Sequence, residues 1–163
     1  MASYQRFLRV LSRLEASLAV LACSTLVLVL IVDVIAVDVF STAVRGSPQL
    51  GVLSGIVACM FGLTLATGSG VHFRPTFADN IIPHVWADRV GDAISAALFG
   101  VFAVFAVAFV MQSYVYADRV PVLNAPLWPV QIVMPYVLAS CALKHTVFAI
   151  SPKAKESLAD KAS

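Results

Sequence analysis

Residues 50–70 read LGVLSGIVACMFGLTLATGSG, and this stretch decides the class of the protein. No Asp, Glu, Lys, Arg or His lies between Arg45 and His72. At about 1.5 Å per helical residue, such a run crosses the roughly 30 Å hydrocarbon core of a bilayer. Gly51, Gly55, Cys59, Gly62, Ala66 and Gly70 follow one another at steps of four, four, three, four and four. With about 100° of turn per residue they share one arc of the helix, about 100° wide. Small residues on one face admit a neighbouring backbone, which is how helices associate in lipid. The stripe is therefore a packing face, turned either to the inside of a bundle or to a partner chain.

The rest of the chain agrees with this reading. Of 163 residues, 60% are hydrophobic and 12% charged, too little polar surface for a soluble domain of this size. The expected fold is an all-α integral membrane protein, residues 1–163 forming a single membrane domain without a linker or low-complexity tract. A net charge of +2 gives no footing for a nucleic-acid partner. Cys23, Cys59 and Cys141 lie inside apolar runs, where thiols behave as small hydrophobes. No Cys/His spacing suggests a metal.

Before the central helix, residues 1–14 read as an amphipathic lead-in. Tyr4, Phe7, Leu8, Leu11 and Leu14 repeat at helical spacing with Arg6, Arg9 and Arg13 between them, a pattern suited to an anionic membrane surface. The first span covers about residues 15–40. Asp33 lies about 27 Å along the axis from Glu15, near the opposite interface, which favours an interfacial or helix-packing carboxylate. A short turn containing Arg45-Gly46-Ser47-Pro48 leads into the span at 50–70.

After that span, His72 to about Asp92 forms the longest polar connection. Ile81, Ile82, Val85, Trp86 and Val90 fall on one face of an expected interfacial helix, with Trp86 at headgroup depth. The third span covers about 93–116. Phe99, Phe102, Phe105 and Phe109 share one side of it, while Ala96, Gly100 and Ala103 cluster on another. A proline-rich connection (Pro121, Pro126, Pro129) precedes the fourth span at about 127–150, which opens on the interfacial anchor Trp128 and contains Pro135. Lys144 is expected to snorkel to water near its end. Residues 151–163 are a polar tail.

With four spans, both termini fall on one side. Arg6, Arg9, Arg13, Arg74, Arg89, Lys144, Lys153, Lys155 and Lys161 share that side, and Arg45 and Arg119 are opposite. Nine against two makes the termini cytoplasmic by the positive-inside rule.

Catalytic constellations are absent from the sequence: no paired carboxylates within a span, no Ser/His/Asp set and no glycine-rich phosphate loop. The expectation is a non-enzyme without a cofactor. Thr25, Thr64 and Thr67 are read as bonding back to their own helix carbonyls. One enzymatic alternative rests on His72 and His145, near the cytoplasmic ends of two spans, which would suit a haem-bearing membrane anchor.

The order of features resembles the small, DctQ-like membrane subunit of tripartite ATP-independent periplasmic (TRAP) transporters. Phe61-Gly62, Ala66, Gly70 and His72-Phe73-Arg74 are similar to that family's small-residue second helix ending in Gly-x-His and a following residue. Pro126-Leu127-Trp128 with Pro135 is similar to the opening of its last helix, and the likeness runs from about residue 14 to 150. Family members often carry an acidic residue where this chain has Gln49-Leu50, and an arginine after the aspartate matched by Asp33, which has no counterpart here. An aspartate common after Gly-x-His gives way to Pro75-Thr76. The resemblance implies a subunit of the bacterial inner membrane, embedded in lipid, that scaffolds a large transport subunit. A periplasmic binding protein delivers an organic anion, and uptake is coupled to sodium. It implies periplasmic docking groups at Arg45, Gln49, Asp118, Arg119 and Asn124. The small subunit of a tripartite tricarboxylate transporter is a related alternative.

Overall fold

The computed structural model describes residues 2–68 and 84–151, the side chains of 2–7, 9 and 84–88 excepted. Five helices follow in order: α1 (Ala2–Phe40), α2 (Ser47–Gly68), α3 (His84–Val115), α4 (Trp128–Gln131) and α5 (Val133–Ile150). Among the described residues, four stretches are long and apolar enough to cross a membrane: Val10–Phe40, Ser47–Gly68, Arg89–Val115 and Trp128–Ile150. The protein is a multi-pass membrane protein.

No glycine or proline interrupts residues 2–40, and α1 runs unbroken for 39 residues, about 58 Å. Lead-in and first span are thus one helix. At the far end, Ser41 takes a left-handed conformation (φ 52°) and closes α1. Asp33 Oδ1 accepts the Val44 N–H at 3.0 Å, so this carboxylate caps the turn into α2. Gly46, with φ +90°, completes the reversal.

The fourth span is divided. Pro129 sits in the first turn of α4, the helix breaks at Ile132, and α5 restarts with Pro135 in its own first turn. A proline needs no N–H there, and the bonds Ile132 N–H to Trp128 O (3.1 Å) and Tyr136 N–H to Ile132 O (3.3 Å) carry the chain through.

The spans pack as a row. α1 lies on α2, α2 on α5, and α5 on α3. The chain order is therefore not the spatial order, since α3 comes before α5 in sequence and flanks it on the far side. Around α2, Gly51 and Gly55 turn to Leu26 and Leu30 of α1, while Thr64 and Thr67 turn the opposite way, to α5. The core sits at the α2–α5 seam, where Phe61, Val137 and Cys141 are buried with Ala19, Val57, Met60, Phe99 and Val133 packed around them. On α3, Phe102, Phe105 and Phe109 are exposed, as expected of residues facing lipid, but Phe99 is drawn into the core.

Candidate functional site

Two ends of the row carry the polar groups. At the end holding the helix start of α1, Glu15 is fully buried and faces α5. Ser140 Oγ–H donates to Glu15 Oε1 and Lys144 Nζ donates to Glu15 Oε2, both at 2.5 Å. The same ammonium donates to the Thr64 carbonyl at 2.9 Å, in the last turns of α2, where a cation suits the helix dipole. One residue along, His145 Nδ1 lies 3.0 Å from Asp92 Oδ1 of α3. The His145 ring stacks on Phe99 (5.6 Å between centroids, 8°) and meets Phe148 edge-on. Thr67 Oγ1–H bonds the Leu63 carbonyl at 2.9 Å and lies 3.5 Å from Cys141 Sγ. Lys144 ties α1, α2 and α5 together, and His145 adds α3.

This overturns the expectation that Lys144 snorkels to water: it is 1% exposed and points inward. The physical reason is the carboxylate of Glu15 at the same depth. A charge-assisted hydrogen bond satisfies both groups inside the bundle, where either alone would be costly. His145 is likewise interior. Sequence reasoning passed over Glu15, Asp92 and Ser140. The available signal was topological: α1 leaves and α5 arrives at the same side, so an acid in one and a base in the other meet at equal depth. Thr25, Thr64 and Thr67 do bond back to Leu21, Phe61 and Leu63, each at 2.9 Å.

The small-residue stripe on α2 divides into two halves. A Cβ at Gly51 would lie 3.7 Å from Leu26 Cδ1 and Leu30 Cδ2, and one at Gly55 3.9 Å from Leu26 Cδ2, so this half receives α1. Cys59, Gly62 and Ala66 are exposed, and a Cβ at Gly62 would meet nothing within 4 Å. Gly70, His72 and Arg74 lie outside the described residues. So do the side chains of Arg6, Arg9 and Trp86, whose backbones belong to α1 and α3; Arg13 is exposed. On the opposite side of α2 a cleft of about 320 Å³ opens between α1 and α2, lined by Leu18, Leu21, Leu53, Val57, Phe61 and Val130 among others.

At the other end, Tyr114 and Trp128 meet edge-to-face at 5.7 Å, and the chain between them forms a small hairpin. α3 closes with Asp118 N–H to Ser113 O (3.0 Å) and Ala117 N–H to Tyr114 O (3.2 Å) around a left-handed Ala117. Arg119 then pairs with Pro126 across an antiparallel bridge, flanked by Val120 N–H to Ala125 O (2.8 Å) and Leu127 N–H to Asp118 O (3.0 Å). Arg119 Nη1 donates to the Asn124 carbonyl at 3.1 Å and approaches its side-chain oxygen at 3.4 Å. Of the docking groups named from the resemblance, Arg45 and Asp118 are exposed and Gln49 is half-buried. Arg119 and Asn124 are exposed, and Arg119 Nη1 is turned to the two oxygens of Asn124. The hairpin brings Arg119, Asn124 and the Arg45–Gly46 turn to one end, since Leu123 seats on Gly46.

No curated protein and no solved structure matches the chain. A family model does, that described as the DctQ component of tripartite ATP-independent periplasmic transporters, over residues 26–152. The match takes in the second half of the first span, the other three spans, Asp92, Ser140, Lys144 and His145, and the hairpin, and it leaves out Glu15. The family matched is that of the TRAP small subunit, not that of a haem-bearing anchor or a tricarboxylate-transporter subunit. The chain belongs to the DctQ component family of tripartite ATP-independent periplasmic transporters.

Proposed function

We propose that this protein is the non-catalytic small subunit of a TRAP transporter, scaffolding a large transport subunit in the bacterial inner membrane. The large subunit carries an organic anion, delivered by a periplasmic binding protein, with sodium as the coupling ion. The observation that carries the reading is the family match over residues 26–152. Two features support it. Among the described residues, buried Glu15 pairs with Lys144 and buried Asp92 is bonded to His145, both at one end of the row, as suits polar groups that hold helices together rather than line a path. The single-row packing leaves α1 and α3 with broad apolar faces, and α2 with the exposed Cys59 and Gly62 of its small-residue stripe, as candidate contacts for the large subunit.

Both termini are cytoplasmic in this reading, supported by nine basic residues against two. Arg45, Gln49, Asp118, Arg119 and Asn124 then lie on the periplasmic side, where the binding protein docks. Arg6, Arg9, Arg13, Trp86 and Trp128 hold the subunit at constant depth. The test is affinity purification from native membranes in mild detergent, with an absorption spectrum of the same sample. A colourless complex with a membrane protein several times larger is expected. Recovery of the chain alone, or with a Soret band, would sink the reading.

A further inference from the structure

A second cleft, of about 190 Å³, lies between α1 and α2 nearer the hairpin end. It shares Leu50 with the cleft of about 320 Å³ between the same helices, and the two follow one stripe on each helix. The α1 wall runs from Leu18 through Thr25 to Val32, and the α2 wall from Phe61 through Leu50 to Ser47. At about 1.5 Å per residue each wall is about 21 Å long. Both walls belong to membrane spans, and Leu18, Leu28, Val32 and Leu50 are exposed along them. The clefts therefore form one groove that opens sideways into hydrocarbon.

Its head carries an unsatisfied polar group. Thr25, midway along, donates its hydroxyl to the Leu21 carbonyl at 2.9 Å. Ser47 is 3% exposed and its Oγ has no hydrogen-bond partner in the protein. The Ser47 N–H is bonded to the Val44 carbonyl at 3.1 Å, so the hydroxyl alone is left over, and no bond fixes its χ1. A buried hydroxyl in that state is costly and calls for a partner. Ser47 opens the span Ser47–Gly68, at the depth where lipid esters meet the hydrocarbon core. Arg45, exposed just ahead of it, places a positive charge at headgroup depth, while the neighbouring Asp33 carboxylate is already turned to the Val44 N–H.

We infer that this groove binds one phospholipid of the leaflet at the hairpin end. Its acyl chain lies between α1 and α2, the Ser47 O–H donates to its ester carbonyl, and Arg45 meets its phosphate. The dimensions select a chain: an apolar cavity of about 150 Å³ already takes benzene, and the groove exceeds the roughly 15 Å depth of one leaflet's hydrocarbon. A protein helix, about 10–12 Å across, is too wide for it. The inference goes beyond the scaffold reading and stands without it.

The test titrates the full-length chain, purified in detergent and stripped of lipid, with a diacyl phosphatidylglycerol. Binding is read by native mass spectrometry and by the rise in melting temperature that a ligand of the folded state produces. Leu50→Trp fills the groove where the two clefts meet and should abolish both signals. Ser47→Ala should raise Kd about fivefold, the size of one hydrogen bond, and leave the lipid-free melting temperature unchanged or higher. Val104→Trp, on the exposed surface of α3, should bind as the wild type does. Wild-type binding by Leu50→Trp would overturn the site, and wild-type binding by Ser47→Ala would overturn its head. Diacylglycerol binding as tightly as the phospholipid would remove Arg45 from it. A Leu50→Trp chain that loses the large subunit but keeps its lipid would give the groove to a protein partner instead.

Discussion

Glu15 and Lys144 show how one pair of residues fixes helices that otherwise touch little. Glu15→Ala leaves the Lys144 ammonium buried without its carboxylate, and Lys144→Ala does the converse. Each should destabilise the subunit by about 3–5 kcal/mol, read as a lowered melting temperature in detergent. The double replacement Glu15→Leu with Lys144→Met should recover most of that loss, since a well-packed apolar pair needs no charge partner. A double variant no better than the singles would refute the pairwise account. Gly46 makes a second residue-level case. Its φ of +90° penalises any side chain, and a Cβ there would sit 2.7 Å from Leu123 Cδ2. Gly46→Ala should cost about 1–2 kcal/mol from backbone conformation alone. Adding Leu123→Ala should relieve the steric share and leave the conformational one, which equilibrium unfolding of the two variants would separate.

At the scale of the element, α2 works on opposite sides at once. Its N-terminal half receives α1 at Gly51 and Gly55, and its C-terminal half leaves Gly62 facing open space. Gly55→Leu should therefore destabilise the isolated subunit, because Leu26 already occupies the approach. Gly62→Leu should leave that stability within about 0.5 kcal/mol, as for a surface substitution. In the proposed complex it should abolish co-purification of the large subunit. Equal effects of both variants on the isolated subunit would contradict the division of the stripe. The spacing of the small residues was fully legible in the sequence. Which half meets α1 was not, because an arc about 100° wide does not say where a neighbouring helix ends along it.

At the scale of the whole molecule, a row of spans buries far less than a closed bundle of four. Among the described residues α2 and α5 pack broadly on two neighbours each, while α1 reaches α5 around Glu15 and Ala19, and the outer helices α1 and α3 keep most of their surface for lipid or partner. The three cysteines report this arrangement. Cys23 and Cys59 are exposed and Cys141 is buried. Cys23→Leu and Cys59→Leu should leave the stability of the isolated subunit within about 0.5 kcal/mol, whereas Cys141→Leu should overpack the α2–α5 seam at a cost of about 1–3 kcal/mol, read by thermal unfolding in detergent. In the proposed complex Cys59→Leu should weaken co-purification of the large subunit, and an unaffected complex would place the large subunit against another face.

The sequence by itself determined the membrane class and the four spans, and it marked Pro135 and Gly46 as points where the backbone must adapt. Those follow from local quantities: apolar run length, helical periodicity, and the geometry that proline and glycine impose at Pro135 and Gly46. It determined the resemblance that the family match made firm. Only the tertiary structure decided that α3 flanks α5, that Lys144 turns inward to Glu15, and that His145 pairs with Asp92. These depend on which helices lie side by side, and uniformly apolar surfaces in lipid leave that choice open until a few polar groups must find one another. The left-handed backbone at Val122 in the hairpin (φ 68°) belongs to the same class. No local preference of valine favours it, and the contacts around it alone hold it in place.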